Sequence, residues 1–139
     1  MEKLIFVKWI MESNFRRWVL FFPFSVICTL IASILWMLIT KISLGRILIS
    51  SESFSYNLYF MPTSGLIAGY VFIYTGGYVA PHYKITLLLF GVHFLYCVLA
   101  IYNYAFRFNS PDYWMIVYFF SCLVSSIIAL DNLKIQFKK

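Results

Sequence analysis

Charge is what this chain has least of: Asp, Glu, Lys and Arg make up 12% of its 139 residues, against about 25% in an ordinary soluble domain. That scarcity predicts hydrocarbon, not water, around most of the polypeptide. The five carboxylates, Glu2, Glu12, Glu52, Asp112 and Asp131, fall outside or at the edges of the apolar runs. No buried acid is then available for proton-coupled exchange, and no nucleophile, base and orienting group stand together, so an enzyme is not expected. Cysteine is equally sparse. Cys28, Cys97 and Cys122 all sit inside apolar runs with no CxxC pair, which argues against a membrane thiol-exchange enzyme and is silent on redox compartment.

Histidine occurs twice, as His82 and His93. Eleven residues of continuous helix would set them roughly 16 Å apart along the axis, too far to share one ion. His93 with Cys97 supplies two of the four ligands that zinc usually takes, and no second pair is visible. No metal and no cofactor is expected within one subunit, although His93 pairing with its copy in a dimer stays open. A continuous basic stripe is also missing: the +6 net charge flanks the apolar runs, so nucleic acid is not an expected partner. Strand-like alternation of polar and apolar residues, internal repeats and low-complexity tracts are absent as well, which removes the barrel reading.

What the chain does have is hydrophobic residues, 63% of the total, in runs of about twenty, the length of a membrane-crossing helix. The runs predict spans over about 18–40, 58–80, 85–106 and 113–130. The expected fold is all-α: a four-transmembrane-helix bundle forming one membrane domain over 1–139. An amphipathic interfacial helix over 1–17 is expected to precede it, because Leu4, Val7, Met11, Phe15 and Trp18 recur at three- and four-residue steps. The first run is read as retained, not cleaved, because it is long and ends in Trp36, Met37, Leu38 and Ile39 where a signal peptide would have small residues. Pro23 falls within the first two turns of that span, where it costs few hydrogen bonds. Gly77, Ala80 and Pro81 predict a tight turn over 78–84, and Asn109 to Asp112 a second one.

Lys and Arg set the orientation. With both termini inside, the inner side holds Lys3, Lys8, Arg16, Arg17, Lys84, Lys134, Lys138 and Lys139, and the outer side only Lys41, Arg46 and Arg107. The expectation is a bacterial inner (cytoplasmic) membrane protein with cytoplasmic N and C termini.

Small residues at helical spacing are the strongest local pattern. Gly65 and Gly69 form a GxxxG pair with Gly76 near the same face, and Ser121 and Ser125 mark a similar stripe in the fourth span. Such faces let backbones touch, either within the bundle or against another chain. A polar stripe forms the second pattern: His93 shares a face with Thr86, Cys97 and Tyr104. An ionisable group in a membrane span is a candidate functional site, and a path could run by His93, Cys97, Tyr96 and Asn103. The plainer reading is a neutral imidazole hydrogen-bonded inside the bundle. His82 and Lys84, in the turn YTGGYVAPHYK, could contact a lipid headgroup or a partner.

Abundant packing surface without a catalytic set predicts function through helix–helix association, as an accessory subunit of a membrane complex or an immunity-like factor. Its partners would be the lipid bilayer and a protein partner or further copies of itself. The alternative is a homo-oligomeric small transporter or channel with its polar path near His93.

Overall fold

The structure, a computed structural model, describes residues 13–45, 53–107 and 111–137. Most of the expected interfacial helix, residues 1–12, lies outside the described residues. Every element among those described is helical: α1 (Asn14–Gly45), α2 (Phe54–Val79), α3 (Tyr83–Tyr102) and α4 (Tyr113–Phe137). A π-helical turn, Asn103–Arg107, continues α3. All four helices are long and apolar enough to cross a membrane, and no strand occurs among the described residues.

The helices run past the limits of the apolar runs, for reasons written into the local sequence. Since α1 begins at Asn14 and not Trp18, Pro23 is its tenth residue, in the third turn instead of the first two, and leaves the carbonyl of Val19 without its usual intrahelical partner. α2 begins at Phe54 because Ser53 caps it: the Ser53 hydroxyl accepts the Tyr56 N–H at 3.2 Å. Asp112 does the same for α4, its Oδ1 accepting the N–H groups of Trp114 and Met115 at 3.1 and 3.2 Å. α4 does not stop at the polar residues Asp131, Asn132 and Lys134; it continues because Leu133, on its inner side, is fully buried against Gly77.

The turn between α2 and α3 is as short as its glycine and proline imply. Ala80 donates its N–H back to the Gly76 carbonyl at 2.9 Å, and α3 starts three residues later. Arg17 closes it from outside. Its Nε donates to the Val79 carbonyl at 2.9 Å and its Nη2 to the Ala80 carbonyl at 2.6 Å, placing a cation on the C-terminal end of α2.

Packing centres on α2 and α4, which run parallel, side by side. Gly65 lies on the Tyr118 carbonyl and on Ser121; four residues on, Gly69 lies on Cys122 and Ser125. A Cβ at either glycine would overlap backbone, so the seam exists only because both side chains are missing. Ser126 stitches it, donating to the Cys122 carbonyl at 2.6 Å and reaching the Gly69 carbonyl at 3.3 Å. α3 packs mainly on α4 and α1 almost wholly on α2, so the helices form a row α1–α2–α4–α3 folded into a shallow bundle. Near the end that carries the termini, Gly76 brings Ser25 of α1 and Leu89 of α3 together. Toward the other end α1 and α3 diverge.

Candidate functional site

The divergence of α1 and α3 opens a cleft of about 870 Å³ over the faces of α2 and α4. α1 contributes Val26, Thr29, Leu30, Ser33 and Met37 as one wall, and α3 contributes Val92, His93, Tyr96 and Cys97 as the other. Its back is Met61, Ser64 and Ala68 of α2 with Met115, Tyr118 and Cys122 of α4. Phe72 marks its inner end, with the His93 ring stacked on it at 4.9 Å between centroids and Phe22 edge-on at 6.3 Å. Tyr104 borders the opposite end, stacked on Phe119 at 5.9 Å.

Four of the polar side chains on this lining are engaged within their own helices. Thr29 Oγ1 donates to the Ser25 carbonyl at 2.8 Å, and Ser64 Oγ donates to the Met61 carbonyl at 3.0 Å. His93 Nε2 and Cys97 Sγ, one turn apart, are 3.6 Å from each other, and Cys97 is fully buried beside Ala68 and Cys122. The resulting surface is mostly hydrocarbon in character, with Ser33, Tyr96, Tyr104 and Tyr118 as further polar groups along it.

Of the residues that the sequence singles out for a polar path, the structure brings His93, Cys97 and Tyr96 to one cleft. Tyr96 stands at its rim, 62% exposed, with its ring edge-on to Phe119 at 5.9 Å. Asn103 lies in the π turn and is not among the residues bordering the cleft. The packing residues separate from this group: Gly65, Gly69, Ser121 and Ser125 lie in the α2–α4 seam and Gly76 in the α1–α2–α3 crossing. His82 and Lys84 are exposed at the short turn on the terminal side, where His82 occupies the N-cap position of α3 without a side-chain cap bond. No group of three His, Cys, Asp or Glu side chains converges among the described residues.

On α1, Ser25, Thr29 and Ser33 recur every four residues, a small-residue stripe like those of α2 and α4, which marks a packing face and says nothing of a cleft. Arg17 carries no flag in the sequence: beside Arg16 it looks like an ordinary flanking charge, and only the fold delivers α2's last carbonyls to it. No protein family, curated protein or solved structure matches the chain.

Proposed function

We propose that this is a multi-pass integral protein of the bacterial inner membrane, with both termini cytoplasmic, that acts without catalysis by associating with a transmembrane helix of another protein. An accessory subunit or an immunity-like factor would work this way. The membrane placement is supported by an inverted distribution of polarity. Ser25, Thr86, Cys97 and Ser126 are fully buried, whereas Leu30, Ile31, Leu88, Leu95 and Phe120 are half or more exposed. Water would drive the opposite arrangement; among hydrocarbon tails, small and hydroxylated residues make the close contacts and large aliphatic ones face out.

The association is supported chiefly by α1. Its most apolar stretch has a mean hydropathy of 2.3, yet 6% of that stretch is buried, against 22% for each of the other three helices. The glycine and serine stripes of α2 and α4 are already spent on each other. α1 still presents Ile27, Ile31, Ile34 and Leu38, at steps of four, three and four and all about half exposed, the spacing by which helices interdigitate. A channel or transporter has weaker support, since its four named polar residues do not all meet in one place and His93 is engaged by Cys97 and Phe72.

Purification from its own membranes in a gentle detergent, followed by native electrophoresis, tests the proposal. A second membrane protein in fixed ratio, lost on Ile31→Trp with Ile34→Trp while the chain still inserts, is the expected result. A monomer or a homo-oligomer alone would overturn association with a different protein.

A further inference from the structure

The outward stripe of α1 ends in a charge. Ser25 donates to the Phe72 carbonyl and Trp36 Nε1 to Thr63 Oγ1, so these two residues mark the side of α1 that meets α2. Ile27 and Leu38 follow them by two positions, which at 3.6 residues per turn is about 200° round the helix. The stripe Ile27, Ile31, Ile34 and Leu38 therefore looks away from α2, with Ile34 also at the edge of the cleft. Lys41 stands next on it, three residues after Leu38 and seven after Ile34, and is exposed as well.

The needs of this chain alone do not account for Lys41. Measured from Arg17, at the closing end of α2, it stands about 36 Å along the axis at 1.5 Å per residue, just beyond a hydrocarbon core of ~30 Å. That is the side away from the termini, which in the proposed orientation carries only Lys41, Arg46 and Arg107, so orientation gives no use for a lysine there. Lys41 makes no hydrogen bond or ion pair among the described residues. The described carboxylates are placed elsewhere: Asp112 caps α4, and Asp131 lies near the other end of that helix.

A helix seated on Ile34 and Leu38 also covers Lys41. Taking an ammonium out of water is costly unless an opposite charge meets it, and the apolar part of the stripe would accept any apolar helix, so the charge at its end is what discriminates. We propose that the partner helix carries a carboxylate at its end on the side away from the termini, placed to meet Lys41, and that this pair selects the partner and sets its register along α1. The inference rests on the association through α1 proposed above and adds to it the charge that the partner must bring.

The test places a benzophenone amino acid in the full chain at Ile42, beside Lys41 and 62% exposed. The chain is irradiated in its own membranes and the cross-linked peptides are sequenced by mass spectrometry. Expected is a peptide of a second protein with Asp or Glu within one turn of the cross-linked residue, at the end of an apolar run. Lys41→Arg should keep the yield, and Lys41→Gln should lower it by up to about fivefold, the worth of an exposed ion pair. Lys41→Glu should lower it about tenfold or more by setting like charges together, and changing the captured carboxylate to Lys should restore it. An unchanged midpoint of unfolding in SDS shows that the variants still fold. A yield unaffected by Lys41→Glu, or a captured helix end without a carboxylate, overturns the charge pairing and leaves association through α1 standing. Cross-links to lipid alone, or only to a second copy of this chain, overturn both. If Glu52→Gln has the effect of Lys41→Gln, the lysine is answered within its own chain and the proposal falls.

Discussion

The α2–α4 seam makes a sharp demand at Gly69. A methyl group there would overlap the Cys122 carbonyl oxygen and lie 2.8 Å from the Cys122 Cα. These are backbone atoms of a helix and cannot rotate aside, so α2 and α4 must separate or shift. Overpacking costs about 1–3 kcal/mol in well-packed cores, and a clash against rigid backbone belongs at about 3. Alanine regains about 1 kcal/mol of helix propensity over glycine, leaving Gly69→Ala destabilised by about 2 kcal/mol, roughly a thirtyfold change in the folding equilibrium. Gly91 supplies the control. It sits on α3 with nothing within 4 Å of its built Cβ, so Gly91→Ala keeps the propensity gain and should be neutral to slightly stabilising. Gly77→Ala should fall between them, because its overlaps are with the side-chain ends of Leu133 and Thr86, which can give. Unfolding in mixed micelles with rising SDS, followed by tryptophan fluorescence, measures all three. Equal stability of Gly69→Ala and Gly91→Ala would refute the close-packed seam.

Four further substitutions, at three residues, probe the polar groups by the same assay. Ser126→Ala removes the hydroxyl that joins the Cys122 and Gly69 carbonyls and should cost about 0.6 kcal/mol, the average for hydrogen bonds between membrane helices. Arg17→Ala frees the Val79 and Ala80 carbonyls; about 1.5 kcal/mol should be lost, at the low end for bonds to charged groups because the guanidinium is partly exposed. Arg17→Lys should recover less than half of it, since an ammonium cannot reproduce the two-pronged contact. Thr86→Val should instead stabilise, by about 1 kcal/mol, because Thr86 Oγ1 is buried with no hydrogen-bond partner among the described residues and valine has nearly the same shape. A destabilised Thr86→Val would mean that the hydroxyl has a partner of its own.

The helices and their turns were legible in the sequence because they depend on local chemistry. Apolar runs, Asp112 and the Gly77–Pro81 break each act over a few residues, whereas Ser53, which starts α2 four residues before the expected 58, was not legible as a cap among its neighbouring serines. The small-residue stripes were legible too, but not their pairing. A glycine every fourth residue says that some backbone approaches closely without saying whose, and α1 and α4 carry comparable serine stripes. The choice of α4 follows from the match along a whole parallel seam, Gly65 to Tyr118 and Ser121, Gly69 to Cys122 and Ser125, Gly77 to Leu133. Leu133 was hidden for a different reason. It stands between Asn132 and Lys134, where composition signals an exit from the apolar run, yet on a helix its side chain points away from both neighbours and into the core.

The cleft follows from how α2 divides its surface. With its glycine face given to α4, α2 meets α1 through separated polar attachments: Arg17 on the Val79 and Ala80 carbonyls, Ser25 donating to the Phe72 carbonyl, and Trp36 Nε1 donating to Thr63 Oγ1 at 3.2 Å. These attachments fix the distance of α1 from α2 while leaving its flank toward α3 uncovered. On the terminal side the absence of a side chain at Gly76 lets Ser25 and Leu89 approach and close that flank. Further along, Phe72, Ala68 and Ser64 take the corresponding places on α2, and Phe72 alone is bulky enough to hold α1 and α3 apart. His93 stacks on Phe72 where the two helices begin to part, so it belongs to the wedge that sets the cleft's inner limit. Phe72→Ala should therefore extend the cleft toward Gly76, seen as labelling of Leu89, which is 2% exposed in the native chain, by a small apolar carbene reagent dissolved in the bilayer. If Leu89 stays unlabelled, the wedge is not what ends the cleft.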